Sequence, residues 1–215
     1  MPLLAAEQLA AAARRLCRTV SKLHALGWAP GTGGNFSVTL SREPLRLLIT
    51  QSGRDKGRLD PARDLVVVGP DGRPADGGEG RPSAETLLHC TIAGVAGAGA
   101  TLHTHSVAAT LLGEHFLAKG GFTLTGYEML KGLGVETHEA RIWVPVLDNS
   151  QDMVGLSGEV RSLLEAGPAA PGFLLAGHGL YAWGADLDEA RRHVEVFEFL
   201  LESASRRTRF EPFLG

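Results

Sequence analysis

The sequence predicts an α/β sandwich in which helices flank a central, largely antiparallel sheet. Apolar segments with strand character recur along the 215 residues, and segments with a helical repeat of apolar residues lie before, between and after them. Strands and helices do not alternate regularly, which argues against a doubly wound parallel sheet. A chain of this length buries a full core without a disulfide or a structural metal. We therefore expect one domain that spans residues 1–215.

The first third of the chain contains one helix and the beginning of the sheet. Residues 5–26 carry apolar side chains at helical spacing and are followed by a glycine, which predicts an amphipathic helix. A glycine-rich turn at 31–35 leads into a strand at 36–40, whose partner at 45–50 lies across a short turn. A third strand at 65–68 ends at a Gly-Pro-Asp-Gly turn. These segments predict antiparallel pairing.

The rest of the chain mixes helices and strands. Ser83 and Asp186 are expected to cap helices, because a side-chain oxygen at that position accepts from a free backbone N–H. Pro145 interrupts the apolar run 142–147 and predicts an edge strand, since proline cannot donate to a neighbour. The other predicted elements are a strand at 100–105, helices at 106–115 and 152–166, a short helix that contains Glu128, and a hairpin around His178.

Composition excludes several classes of function. The formal net charge is -3, which does not favour nucleic-acid binding. The arginines clustered at 206, 207 and 209 are more typical of a solvated helix end or an anion contact than of a nucleic-acid-binding arm. The apolar N-terminal stretch, residues 1–13, is short, contains Glu7, and is followed rather than preceded by arginine, unlike a signal peptide or a membrane span. Cys17 and Cys90 are the only cysteines and indicate unpaired thiols in a reducing compartment. We expect a cytoplasmic protein without a membrane partner.

Three histidines are the strongest functional signal. His103 and His105 end an apolar stretch, and side chains at i and i+2 of a strand project to the same face, so both can bind one ion. His178 lies between two glycines inside a second apolar run. A third imidazole on such a turn would give a divalent metal three neutral nitrogen ligands and an open position, as in catalytic zinc sites. Iron, cobalt, nickel and manganese also suit such ligands.

A structural interpretation competes with the metal site. A histidine in an apolar run is usually a core residue whose hydrogen bonds are satisfied, and the spacing of His103 and His105 alone does not decide between the two. The glycines that crowd both segments indicate turns and close backbone approach, which favours binding.

Three turns have the composition of anion-binding loops. They are residues 31–35, 50–53 and 82–84, each with glycine or serine, and the last precedes a predicted helix whose N-terminus favours negative charge. Each of these segments by itself is more typical of an ordinary turn than of a ligand-binding loop. Together, beside a metal, they suit a small phosphorylated substrate. The first lacks the lysine and the spacing of nucleotide-binding motifs.

Two glutamates are candidates for proton transfer. Glu85 follows the third loop, and Glu128 lies in the short helix among apolar residues. Either is also consistent with a surface carboxylate. The apolar neighbours of Glu128 predict that it lies near the interior, where burial raises the pKa of a carboxyl group toward the range useful for catalysis.

The chain resembles the class II aldolase/adducin family nearly end to end. Within the family it is most similar to the dehydratases, chiefly through 127–132. The motifs that carry the resemblance, in order, are Gly-Gly-Asn-Phe-Ser at 33–37, Ile-Thr-Gln-Ser-Gly at 49–53, Pro-Ser-Ala-Glu at 82–85, His-Thr-His-Ser at 103–106 and Gly-His-Gly at 177–179.

The resemblance implies a role for each candidate residue. It implies that Glu128 is the acid/base and that Glu85 contacts substrate beside the metal, although in the family's sugar-phosphate aldolases the glutamate at the position of Glu85 is the acid/base. It further implies one Zn²⁺ per subunit on His103, His105 and His178, and a phosphate pocket lined by Asn35, Ser52, Gly53 and Ser83. It implies a homotetramer with active sites near the subunit interfaces.

The implied activity is the dehydration of 5-methylthioribulose 1-phosphate to a 2,3-diketone in methionine salvage. The open alternative is an aldolase or epimerase of the fuculose or ribulose phosphate type, because both glutamates are present. A non-catalytic scaffold like the adducin head is disfavoured, since all three histidines are present. An apolar slot for the methylthio group is expected from Phe116, Phe122, Met129 or Trp143.

Overall fold

An eight-stranded sheet forms the centre of the protein, in a computed structural model that describes residues 6–75, 77–167 and 170–207. The strands are β1 (Asn35–Arg42), β2 (Leu45–Thr50), β3 (Leu65–Val68), β4 (Ala100–Thr104), β5 (Gly121–Leu124), β6 (Ile142–Leu147), β7 (Gly172–Leu175) and β8 (Gly179–Gly184). The helices are α1 (Ala6–Ala25), α2 (Thr86–Val95), α3 (Val107–Phe116), α4 (Met153–Glu165) and α5 (Leu187–Arg207), with short 3-10 helices at Leu117–Lys119 and Glu128–Leu133.

The sheet is largely antiparallel, as the sequence predicted. Its strand order is β3-β2-β1-β4-β8-β7-β6-β5. In the described residues six neighbouring pairs are antiparallel, and β6 and β7 form the one parallel pair. Helices precede, separate and follow the strands, so the α/β sandwich is confirmed.

Helices cover both faces of the sheet. Side chains alternate along each strand, so Tyr181 and Trp183 of β8 pack in a core with α2 and α4, whereas Leu180 and Ala182 pack in a core with α1, α3 and α5. Each long helix turns its apolar stripe to one of these cores, which explains why the helical periodicity was readable in the sequence.

The central strands bring distant histidines to one end of the sheet. The register pairs Asn35 of β1 with His103 of β4, and Thr104 of β4 with Leu180 of β8. Residues some 70 positions apart in sequence therefore become neighbours. His178 lies in the turn immediately before β8, at the same end.

Two expectations about local structure were wrong. Pro145 is not in an edge strand, because β6 lies between β5 and β7; proline is tolerated where β6 changes partner, since Pro145 still pairs with β5 and Val146 already pairs with β7. Ser83 does not cap α2, which begins at Thr86 with Glu85 at the N-cap position. The Ser83 carbonyl instead accepts from the Thr86 backbone N–H and hydroxyl.

The cap of α5 is confirmed, since the Glu189 N–H donates to Asp186 Oδ1 at 2.9 Å. Cys17 and Cys90 are free and buried. Among the described helices, none combines the length and the apolar character needed to cross a membrane.

Candidate metal centre

Three imidazole rings converge at the end of the central strands. His105 Nε2 lies 2.8 Å from His103 Nε2, and His103 Nε2 lies 3.2 Å from His178 Nε2. One ligand atom from each ring falls within 4.8 Å of the others, so the three can hold a single metal ion. For comparison, nitrogens that bind one tetrahedral zinc ion at its usual bond length are separated by about 3.3 Å.

Close backbone contacts position these rings. Gly34 has a φ of 76°, and a Cβ there would lie 2.5 Å from the His103 carbonyl oxygen. A Cβ on Gly179 would lie 2.0 Å from the Thr104 carbonyl oxygen, so only glycine lets β8 approach β4 closely at this point. The glycines that accompany the histidine motifs therefore have a steric role at the site.

Hydrogen bonds on the far side of two rings orient their lone pairs. His103 Nδ1 donates to the Leu180 carbonyl at 2.9 Å, and His178 Nδ1 donates to Asn149 Oδ1 at 3.2 Å. Because both partners only accept, the hydrogen is on Nδ1 and each Nε2 presents a lone pair to the common centre. Lone pairs that face one another across 3.2 Å repel, and a cation between them would remove this repulsion.

Burial keeps His103 and His105 in the neutral form that a metal requires. Desolvation, assisted by the neighbouring imidazoles, lowers the pKa of His103 well below its usual value. Desolvation is also the main cause that lowers the pKa of His105 to about 4. The donor set, its protonation and its convergence all fit a divalent metal ion such as zinc.

Glu85 is the carboxylate next to the three rings. Its Oε1 lies 3.1 Å from His178 Nε2 and its Oε2 lies 3.7 Å from His103 Nε2. The Asn35 amide donates to Glu85, and the Asn35 amide oxygen accepts from His89 Nε2. His89 Nδ1 accepts from the Ser37 hydroxyl at 2.7 Å, so a chain of hydrogen bonds runs from the sheet to Glu85.

This chain of hydrogen bonds is fixed in one direction. The Glu85 carboxylate only accepts, so the Asn35 NH₂ group faces Glu85 and the Asn35 oxygen accepts from His89 Nε2. Full burial lowers the pKa of His89 to about 3, which keeps this ring neutral. His89 thus positions Asn35, which in turn positions the carboxylate.

Tyr181 forms the wall behind His103. The two rings stack with centroids 4.0 Å apart and planes inclined by 14°, and Phe173 stacks on the other side of Tyr181. The hydroxyl is fully buried and lies near the Glu85 carboxylate, but it makes no hydrogen bond of good geometry to a described residue. Burial, followed by the charge of Glu85, raises the pKa of this phenol well above its usual value. Tyr181 stays neutral and excludes water from the inner side of the site.

The three predicted anion loops meet in one cavity beside the histidines. Among the described residues its lining comprises Thr32, Gly33, Gly34, Asn35, Gln51, Ser52, Gly53, Lys56, Ser83, Glu85, His105 and His178. The loops therefore supply Asn35, Ser52, Gly53 and Ser83 to the same space. Two backbone N–H groups of these loops are not free to bind an anion, because the Gly33 N–H donates to the Pro30 carbonyl and the Ser52 N–H donates to the Arg81 carbonyl.

Glu128 does not lie where the sequence suggested. Its side chain is 71 % exposed, and it does not line the cavity beside the histidines. The expected rise of its pKa was also wrong: the hydrogen bond from Lys131, 2.6 Å away, lowers it, and His138 has a smaller effect in the same direction. The short helix buries Leu130 and Leu133 and leaves Glu128 facing solvent.

The aromatic residues expected at an apolar slot lie in a separate cavity. Phe116, Phe122 and Trp143 line a cavity of about 820 Å³ between α3, β5 and the end of α5. None of the three histidines lines it, and Met129 lies outside its lining. Within one chain, the apolar surface and the histidine cluster are thus distinct.

Glu198 supports the histidine strand from the opposite face of the sheet. It is 2 % exposed and its Oε1 accepts from the Thr104 hydroxyl at 2.6 Å. Burial raises its pKa to about 7, although the hydrogen bonds from Ser106 and Thr104 act in the other direction. The two hydroxyl donors flank His105 in sequence, so Glu198 ties down the segment that carries this ring.

The raised pKa of Glu198 predicts a pH-dependent stability. Between pH 4.5 and 7 the unfolded chain releases the proton that the folded protein retains, so stability falls as pH rises, by about 3 kcal/mol in all. Glu198→Gln should remove this contribution. Urea unfolding of chelator-treated protein at pH 5 and pH 8 measures it, with exposed Glu159→Gln as the control. An unchanged pH dependence in Glu198→Gln would contradict the assignment.

The sequence reasoning missed several residues of this region. Lys56, His89, Asn149 and Tyr181 all contact the site or its loops, and Glu198 lies behind it. No spacing or motif in the sequence marks these residues as part of a site. The exception is Lys56, because a lysine three residues after an anion-type loop could have been recognised as a candidate anion ligand.

Comparisons with known proteins agree with this geometry. The family model of the class II aldolase and adducin N-terminal domain matches residues 14–204. A methylthioribulose-1-phosphate dehydratase of Sorangium cellulosum is 46% identical over 183 residues, 84% of this chain and 85% of that protein. One of Acidiphilium cryptum is 43% identical over 212 residues, 97% of this chain and 96% of that protein.

A solved structure extends the comparison. The L-fuculose-1-phosphate aldolase of Thermus thermophilus superposes with a TM-score of 0.73 at 27% identity, covering 96% of this chain and 98% of that one. The family match spans the histidine motifs, all three loops and Glu128. The chain therefore belongs to the class II aldolase and adducin N-terminal domain family.

Proposed function

We propose that this protein is a zinc-dependent dehydratase that converts 5-methylthioribulose 1-phosphate to 2,3-diketo-5-methylthiopentyl 1-phosphate in methionine salvage. The observation that carries the proposal is the convergence of three imidazole Nε2 atoms beside a cavity formed by three anion-type loops. Relatives that share 43–46% of their residues with this chain over most of its length are named as dehydratases of methylthioribulose 1-phosphate.

In this proposal each group of residues has one task. His103, His105 and His178 hold the zinc ion, and Asn35, Ser52, Gly53 and Ser83 bind the substrate phosphate. Glu85, held by Asn35, contacts the substrate next to the metal. A divalent ion bound by the three imidazoles polarises a ketone and stabilises the negative charge that develops on its oxygen.

The acid/base in the proposed dehydration is Glu128. Its carboxylate takes up the proton from C3 of the ketose and delivers a proton to the hydroxyl on C4. The C4–O bond breaks, water leaves, and the resulting enol tautomerises to the 2,3-diketone.

Because Glu128 is exposed and does not line the histidine cavity of its own chain, this role requires a second subunit. The proposed homotetramer supplies one, with Glu128 of one copy facing the metal of the next. Exposed apolar side chains such as Leu111 and Trp143, at 54 % and 43 %, are consistent with a surface that another copy covers. We further propose a single catalytic domain over residues 1–215 and a cytoplasmic location.

A sugar-phosphate aldolase is the second candidate, and one observation favours it. Glu85 lies within 3.1 Å of a histidine of the cluster, closer to the reacting centre than Glu128 of the same chain. An aldolase would deprotonate the C4 hydroxyl, so that the C3–C4 bond breaks and an aldehyde forms.

Product analysis separates the two activities. Purified, zinc-loaded protein should convert 5-methylthioribulose 1-phosphate to the diketone with release of one water per turnover. Mass spectrometry and carbonyl trapping distinguish the diketone from methylthioacetaldehyde plus a three-carbon ketose phosphate. Formation of the aldehyde as the main product would refute the dehydratase and establish the aldolase. The metal-free protein serves as the control.

A further inference from the structure

A lysine ammonium group is buried in the wall of the anion cavity. Lys56 is 1 % exposed, lies in the loop after β2, and lines the cavity together with Ser52 and Gly53. Its Nζ donates to the Thr32 carbonyl at 2.8 Å and to the Arg54 carbonyl at 3.0 Å. It thus joins the first predicted anion loop to the second.

The two carbonyls leave part of this group unused. An ammonium has three hydrogens to donate, and only two have acceptors among the described residues. Lys56 also forms no ion pair within the described part of the chain. The negative charges of Asp55 and Asp64 act to raise the pKa of Lys56. Burial has the larger effect and lowers this pKa.

Burial of a lysine is unfavourable unless an anion compensates for the lost hydration. A neutral amide could donate to the same two carbonyls without that cost, so loop closure alone does not explain the charge. Among the described residues of the cavity lining, Lys56 is the only lysine or arginine. An anion that enters the cavity would supply the missing partner.

We propose that Lys56 is a phosphate-binding residue, whose buried ammonium supplies the positive charge of the anion cavity and donates its third hydrogen to a phosphate oxygen. The inference rests on the proposed phosphorylated ketose as substrate. In that arrangement Glu85 and Lys56 line the same cavity, the glutamate next to His178 and the lysine bonded to the Thr32 carbonyl of the first loop.

Inorganic phosphate is the probe that tests this proposal. The chain has four lysines, and the other three, Lys22, Lys119 and Lys131, are exposed. In wild-type, zinc-loaded protein with ¹³C-labelled lysine, the CεH₂ signal of Lys56 should shift as phosphate is added, whereas the signals of Lys22 and Lys119 should not. Lys56→Arg, which preserves the charge, assigns the signal. Absence of phosphate binding, or a Lys56 signal that stays in place at saturation, overturns the proposal.

Substitution provides the energetic test. Lys56→Met removes a hydrogen bond from a charged group to the phosphate. We therefore expect it to weaken phosphate binding and to raise KM about 10- to 100-fold. The kcat and the zinc content should remain nearly unchanged. Lys56→Arg should recover most of the affinity. The matched control is Lys22→Met, on the exposed side of α1. A folded Lys56→Met with wild-type affinity for phosphate refutes the role; if this variant fails to fold, the wild-type signal decides.

These outcomes are separate from a failure of the proposed function. If the ketose phosphate is not turned over but inorganic phosphate still shifts the Lys56 signal, phosphate binding by Lys56 is supported and the dehydratase activity is refuted. If the diketone forms normally and Lys56→Met leaves both KM and phosphate affinity unchanged, the dehydratase activity is supported and the phosphate-binding role of Lys56 is refuted.

Discussion

Replacing His103 with alanine is expected to abolish metal binding and turnover together. His103 is fully buried, and its Nε2 lies between those of His105 and His178, at 2.8 and 3.2 Å. Removal of a group that merely orients a ligand weakens metal binding 10- to 100-fold, so loss of the central ligand should exceed about 100-fold. Zinc content by mass spectrometry after dialysis, together with the product assay, measures both effects.

A buried histidine elsewhere provides the matched control. His193 of α5 is 6 % exposed and bonds through Nδ1 to the Trp183 carbonyl at 2.7 Å, so His193→Ala also removes a buried imidazole. It should lower the unfolding temperature and leave zinc content unchanged. Full zinc occupancy in His103→Ala, with activity retained, would remove His103 from the ligand set and return the histidine cluster to a packing role.

Replacing Glu128 with glutamine should reduce turnover about 10²- to 10⁴-fold, the usual contribution of a general acid/base, while zinc stays bound. The substitution keeps the shape of the side chain and deletes the proton carrier. Zinc binding should persist because Glu128 is exposed and does not lie among the three histidines. Steady-state kinetics and zinc analysis on the same preparation test both statements.

Glu85→Gln makes this test decisive between the two glutamates. If Glu85 is the acid/base, Glu85→Gln loses turnover and Glu128→Gln remains close to wild type, which would overturn the role proposed for Glu128. Exposed Glu136→Gln, in the same segment as Glu128, is the control for a change of charge.

Mixed assemblies test whether Glu128 acts on a neighbouring subunit. Glu128→Gln supplies intact metal ligands and His103→Ala supplies an intact Glu128, so tetramers assembled from both should regain part of the activity. Mixtures as inactive as their components would show that both groups must belong to one chain. Co-purification of the untagged variant with an affinity-tagged partner variant, followed by native mass spectrometry, confirms that the subunits have mixed.

Much of the fold was predictable because its signals are local. The apolar repeat of α1 was expected over 5–26 and is observed over Ala6–Ala25, and the alternation that places His103 and His105 on one face holds at the end of β4. The motif around His178 also lies in a hairpin, as its glycines and flanking apolar runs indicated. Such features depend on backbone geometry over a few residues.

The errors arose where neighbours distant in sequence decide the outcome. The apolar residues beside Glu128 suggested an interior carboxylate, but a short 3-10 helix buries Leu130 and Leu133 and turns Glu128 to solvent. Pro145 suggested a sheet edge, yet β6 changes partners at that residue and remains inside the sheet. Local composition does not reveal which side of a segment the rest of the chain will cover.

The sequence by itself determined the chemistry available to this protein: three imidazoles, three small-residue loops and two candidate glutamates, because residue type and short-range spacing decide which groups can act together. Only the tertiary structure decided which groups meet. Strand pairing places Asn35 next to His103, and hydrogen bonds link His89 through Asn35 to Glu85. Packing also buries Lys56 without an ion-pair partner among the described residues. These relations depend on long-range packing and desolvation, which no single segment of the chain encodes.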